Sequence, residues 1–183
     1  MQHKTWAKSR SIRLKDFDYT SPGAAYHITI GTSQKQSILT NPGINRQVIN
    51  ILKSSADLYG YHLIAYCLMP DHMHILIQAG ENPRDLREFV RGFKSYCSNA
   101  TLSVATPVAT KTNTTLWQRG FYEHILRKEE NIADTAEYIL NNPVRKGLVQ
   151  NREHYKWCDL MNYVERRDRS HDATDTNVTR KAK

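Results

Sequence analysis

Apolar and polar positions change period several times along the chain, and each change marks an element. Tyr26-His27-Ile28-Thr29-Ile30 alternates apolar and polar side chains with β-branched residues, the pattern of a strand packed on one face. From Ile44 the period lengthens, and Val48, Ile49, Leu52 and Ala56 fall on one side of a helix that stops at Gly60. Tyr61 to Leu68 is apolar and aromatic, Met69-Pro70-Asp71 turns the chain, and His72 to Gln78 runs apolar again, which predicts an antiparallel hairpin. Asn82 as N-cap, Pro83 at the first helical position and Asp85 in the first turn predict the next helix. In it Leu86, Phe89, Val90, Phe93 and Cys97 form one stripe, and Arg84, Arg87, Arg91 and Lys94 form another. Residues 99–115, rich in Thr, Ala, Ser and Asn, read as a long loop, and Leu116 to Arg127 as a last extended segment. Asn131 caps a final helix that buries Ile132, Ala136, Ile139 and Leu140 and ends near Asn142, before Pro143. The order strand, helix, strand, strand, helix, strand, terminal helix predicts an α+β fold: a ferredoxin-like antiparallel sheet with helices packed on it.

Composition sharpens this picture at the ends. Residues 1–20 hold Lys4, Lys8, Arg10, Arg13 and Lys15 with little apolar content and read as a basic arm, residues 21–164 as the folded domain, and residues 165–183 as a disordered polar, basic tail. Lys and Arg number 26 against 18 Asp and Glu, a net charge of +8 that makes a polyanion the natural partner. No signal peptide and no apolar run of membrane-spanning length stands out, so a cytoplasmic location is expected. Cys67, Cys97 and Cys158 are an odd number without CxxC spacing, which points to reduced core thiols.

The chemistry concentrates in two places. His72 and His74 stand one residue apart on a predicted strand, so both imidazoles share a face while Met73, Ile75 and Ile77 share the other. Two co-facial imidazoles about 7 Å apart along a strand can reach one divalent ion. On the last helix Tyr138 and Asn142 are spaced i, i+4 and lie together beside the buried stripe.

The segment Met69-Pro70-Asp71-His72-Met73-His74-Ile75-Leu76-Ile77 resembles the His-hydrophobe-His motif of single-tyrosine transposases. Tyr138-Ile139-Leu140-Asn141-Asn142-Pro143-Val144-Arg145-Lys146-Gly147-Leu148-Val149 resembles a segment of their branch associated with repetitive extragenic palindromes (REP), and Phe93-Lys94-Ser95 and Trp117-Gln118-Arg119-Gly120-Phe121-Tyr122 look like the same branch. The resemblance implies cleavage and rejoining of single-stranded DNA beside a REP-type hairpin, with Tyr138 as nucleophile and His72, His74 and Asn142 as ligands of a divalent metal. In insertion-sequence relatives the third ligand is usually Gln; the shorter Asn142 follows the REP-associated pattern. A tyrosine phenol has a reference pKa near 10, so it ionises more readily than an aliphatic alcohol and leaves well when a 3′-OH attacks back. Two imidazoles and an amide oxygen suit Mg²⁺ or Mn²⁺. DNA binding is expected from Lys8, Arg10 and Arg13 of the arm, from the Arg84, Arg87, Arg91 and Lys94 stripe, from Trp117 and Tyr122 as stacking platforms for unpaired bases, and from Arg127. The resemblance also implies a monomer with the tyrosine helix in cis, acting at the nucleoid. Two other readings compete: a hairpin-binding module of the same fold without catalysis, and a metal hydrolase that uses water at the His pair.

Overall fold

The computed structural model describes residues 17–102, 115–127 and 129–161. Strand β1 (Ala25–Gly31) leads through two short 3₁₀ turns to helix α1 (Pro42–Leu58), then to strands β2 (Tyr61–Met69) and β3 (His72–Ala79), helix α2 (Leu86–Leu102) and strand β4 (Tyr122–Ile125). Helix α3 (Ile132–Leu140), the single turn α4 (Asn142–Arg145) and strand β5 (Cys158–Leu160) follow. The five strands form one antiparallel sheet in the order β4-β1-β3-β2-β5. Its first four strands have the expected α+β ferredoxin-like arrangement, and β5 extends the sheet beyond β2.

Alternation along each strand divides the molecule into three layers. Tyr26, Ile28, Ile30, Met73, Ile75, Ile77, Tyr66 and Leu68 point to one face, where Val48, Leu52 and Ala56 of α1 and Leu86, Phe89, Val90, Phe93 and Cys97 of α2 complete the larger core. The opposite face carries Ile64, Ala65, Cys67, Met69 and Leu76, packed against Ala136 and Ile139 of α3. Polar positions of β1 and β3 therefore open toward α3 and away from α1 and α2.

Helix α1 begins two residues before the expected Ile44, where the Asn41 side chain accepts hydrogen bonds from the Gly43 and Ile44 amides; Gly60, at φ +76°, ends the helical run as expected, with a conformation that a β-carbon would oppose. At α2 the start differs from expectation. The Asp85 carboxylate accepts the Arg87 amide at 2.7 Å, so Asp85 and not Asn82 acts as the cap, and the helix begins at Leu86. Helix α2 also runs into the predicted loop, to Leu102. The extended segment after it is shorter than expected. Trp117 makes one bridge with Thr32, and pairing resumes only at Tyr122. The basic arm through residue 16, residues 103–114 and the tail from residue 162 lie outside the described residues.

Candidate active site

The site is built on the α3 face of the sheet. In register, Thr29 of β1 lies opposite His74 of β3, and His74 lies opposite Cys67 of β2. One step along, His27 lies between His124 of β4 and Leu76 of β3. Facing residues of an antiparallel ladder share a side, so His27, Thr29, His72 and His74 come together. The His72 and His74 rings are 4.9 Å apart centre to centre, His74 and His27 are 5.2 Å apart, and the Tyr138 ring meets His27 edge to face at 6.2 Å. Tyr138 is thus the end of a row of four rings, and it is 48% exposed while Ile139 beside it is fully buried.

Both histidines of β3 are held through Nδ1. His72 Nδ1 donates to the Asp71 carboxylate at 2.6 Å, and His74 Nδ1 lies 3.1 Å from both Thr29 Oγ1 and His27 Nε2. Asp71 is fixed in turn by its backbone carbonyl, which accepts the Thr32 amide, and by Lys35, whose Nζ is 3.9 Å from its carboxylate. Burial opposes ionisation of Asp71, but the hydrogen bond and charge of His72 and the charge of Lys35 hold its carboxyl below the usual range. Burial, with His27, His72, Arg145 and Lys35 adding to it, pushes His74 down to about 3. Burial and His124 push His27 down to about 4. His27 and His74 are therefore neutral at pH 7, and for His74 this is the form that binds a metal.

This donor set suits a divalent ion. With the Nδ1 atoms of His72 and His74 tied to a carboxylate and to a threonine or histidine, the Nε2 atoms remain as ligand atoms, the usual orientation of metal-binding imidazoles. Asn142 is buried and donates Nδ2 to the carbonyls of Tyr138 at 3.1 Å and Ile139 at 3.3 Å, which leaves its amide oxygen for a ligand. Among the described residues no three His, Cys, Asp or Glu side chains form a metal cluster, so a complete site requires the Asn142 oxygen, water or a substrate oxygen.

Helix α3 reaches this face through contacts within its own chain. Arg152 pairs with Glu137 on α3, the Tyr155 hydroxyl donates to the Leu68 carbonyl at 2.7 Å, and β5 pairs with β2, so the segment after α4 straps the helix to the sheet.

The expected DNA-binding residues separate. Arg84, Arg87, Arg91 and Lys94 belong to the α2 layer, across the sheet from Tyr138. Arg87 is paired with Asp85, and Arg84 stacks on Tyr59 at 5.4 Å. Lys94 donates to the carbonyls of Gln118, Arg119 and Gly120, and burial pushes its ammonium down to about 8, so it clamps a loop. Trp117, only 3% exposed, packs against Phe93 in the larger core, where its ring is closed to a nucleobase. Tyr122 and Arg127 are exposed at the β4 end of the sheet, on the strand and just after it. Lys8, Arg10 and Arg13 lie outside the described residues. His27, Thr29 and Arg145 join the site without having been expected there. The signal for the first two was present, since they are the polar half of the β1 alternation.

The sequence matches the family described as "Transposase IS200 like" over residues 20–142. The chain belongs to this family of transposases. It is 24% identical to a REP-associated tyrosine transposase of Escherichia coli, covering 72% of this chain and 73% of that one. A Haemophilus influenzae protein described provisionally as a REP-associated tyrosine transposase is 26% identical, covering 73% of this chain and 77% of that protein. Among solved structures, a REP-associated tyrosine transposase bound to a REP hairpin superposes with a TM-score of 0.63 at 19% identity, over 80% of this chain and 82% of that one. That likeness supports the fold of this IS200-like transposase.

Proposed function

We propose that this chain is a metal-dependent single-stranded DNA endonuclease and strand transferase, which binds a REP-type hairpin and cleaves and rejoins the strand beside it through a 5′-phosphotyrosine on Tyr138. The observation that carries the reading is the placement of an exposed tyrosine, on a helix packed in cis, at the end of the ring row that contains His72 and His74. The names of the relatives supply the substrate class.

In this reading His72, His74 and Asn142 hold Mg²⁺ or Mn²⁺. When bound, the ion polarises the scissile phosphate and neutralises part of its charge. Tyr138 Oη attacks phosphorus, the P–O3′ bond breaks, the phenolic proton passes to water, and the departing 3′-oxygen takes one up. Attack by a 3′-OH on the phosphotyrosine reverses the step, so the bond is conserved without a nucleotide cofactor. Asp71, Thr29 and His27 keep the two imidazoles in the tautomer and orientation that ligation needs. Burial around His74 keeps bulk water from competing. Tyr122, Arg127 and the basic arm with Lys8, Arg10 and Arg13 remain as contacts to bases and phosphates, and Arg91 as an exposed cation for the distal duplex. The chain acts as a monomer at the nucleoid; among the described residues no helix is long and apolar enough to cross a membrane.

Polarity provides the test. An oligonucleotide with a hairpin is labelled at its 5′ or its 3′ end and incubated with protein and Mn²⁺. The reading requires the 3′-end label to remain with the protein on a denaturing gel and the 5′-end label to be released on a fragment ending in 3′-OH. Hairpin binding without either product would make the chain a binding module, and cleavage that leaves both labels free would make it a hydrolase.

A further inference from the structure

Arg145 occupies a position that neither the ligand set nor the nucleophile accounts for. It closes α4, the single turn that begins at Asn142, and the Arg145 amide donates to the Asn141 carbonyl at 3.0 Å. Buried Pro143 anchors that turn. The side chain folds back so that the guanidinium carbon lies 4.1 Å from the centre of the Tyr138 ring. Among the described residues, the other arginines with ring or ion contacts are occupied elsewhere: Arg87 and Arg152 pair with Asp85 and Glu137, and Arg84 stacks on Tyr59 across the sheet. Among the described residues no carboxylate pairs with Arg145, and the residue is exposed. Its charge also reaches His74. A guanidinium is a planar fork that stacks on an aromatic face and also binds two phosphate oxygens. Stacked on the nucleophile, it stands beside the place where a phosphate on Oη must lie.

We propose that Arg145 is a catalytic residue of this transposase, binding the nonbridging oxygens of the phosphate as it passes to and from Tyr138. The proposal rests on the phosphotyrosine reading and adds to it a second source of positive charge besides the ion. In the transfer the Oη–P bond forms as P–O3′ breaks, negative charge grows on the nonbridging oxygens, and the fork accepts that charge without giving up a proton. Lys35 is a poor substitute because Asp71 already holds it, and Lys94 is tied to three carbonyls across the sheet. The stack on Tyr138 gives the side chain a resting place when no phosphate is present.

The test compares wild-type full-length protein with Arg145→Ala and Arg145→Lys. The substrates are two hairpin oligonucleotides with Mn²⁺: one with an ordinary scissile phosphate, the other with a methylphosphonate there, which lacks the charge. Arg145→Ala should form the adduct about 100-fold more slowly on the phosphate, and Arg145→Lys should recover part of the rate. Hairpin affinity and melting temperature should stay at wild-type values. On the methylphosphonate the gap between wild type and Arg145→Ala should close to within about tenfold, because the charge that Arg145 meets is gone. An Arg145→Ala rate close to wild type on the phosphate overturns the proposal, and so does a deficit equally deep on both substrates, which would mark a structural role. Absence of an adduct with wild-type protein overturns the phosphotyrosine reading, and the proposal falls with it.

Discussion

At the scale of single residues, the site depends on the side chains that hold the proposed ligands as well as on the ligands themselves. Asp71 orients His72 through a 2.6 Å hydrogen bond, so Asp71→Asn should weaken metal affinity by about 10- to 100-fold while the fold persists. A Mn²⁺ titration of adduct formation reads this directly: the midpoint should move to higher metal, and the rate at saturation should recover. An unchanged midpoint would remove Asp71 from the site. His27 and His74 make a second prediction, about pH. Their folded pKa values, about 4 and about 3, lie below the 6.5 of an unfolded histidine, so the unfolded chain takes up protons first on acidification. The stability they contribute is complete above about pH 6.5 and is lost as the pH falls through 4 and then 3, on the order of 3 kcal/mol for each histidine by pH 4. Urea midpoints of the metal-free protein between pH 7 and pH 4.5 should show this slope, and His27→Gln should flatten it. A slope that the substitution leaves unchanged would contradict the assignment.

At the scale of elements, the packed tryptophan decides between two roles. Trp117→Ala should cost about 3–5 kcal/mol of stability, because it empties a core position against Phe93. A base-stacking platform would behave differently, losing hairpin affinity with stability unchanged, and equilibrium unfolding beside a binding titration separates the two. Trp117 also shows where sequence reading stops. Its aromatic ring, followed by the polar run Gln118-Arg119-Gly120, looks like a surface feature, and only the bridge to Thr32 turns it into the core. The period-2 and helical patterns were strong enough to place β1, α1, β2, β3 and α3, with His72 and His74 on one face and Met73, Ile75 and Ile77 on the other. Strand β5 escaped because three residues, Cys158 to Leu160, carry too little pattern, and the pairing with β2 comes from Tyr155 and Trp157 docking beside Leu68. The basic stripe of α2 was legible as a stripe, but its side of the sheet was not. Which layer a helix occupies follows from long-range packing, and charge periodicity is silent on it.

At the scale of the whole molecule, the strap from α4 to β5 places the tyrosine helix on its own sheet, so nucleophile and histidines belong to one chain. Mixing Tyr138→Phe with His74→Ala should therefore restore no activity, whereas a dimer exchanging its tyrosine helices would rebuild an intact site in the mixture. Recovery of adduct on mixing would overturn the proposed monomer. The three-layer plan explains the arrangement: α1 and α2 close one face of the sheet and give it rigidity, and the other face is left for α3 and chemistry. Tyr138 and the His72/His74 pair are proposed to form one metal-dependent centre for strand transfer. The most direct measurement incubates purified protein with a labelled single-stranded hairpin oligonucleotide, with Mn²⁺ or with EDTA, and resolves it on a denaturing gel. A covalent protein–DNA band should form with Mn²⁺ and disappear in EDTA, in Tyr138→Phe and in His74→Ala, while Tyr138→Phe still binds the hairpin. A band that survives Tyr138→Phe, or one indifferent to EDTA and to His74→Ala, would contradict the proposal.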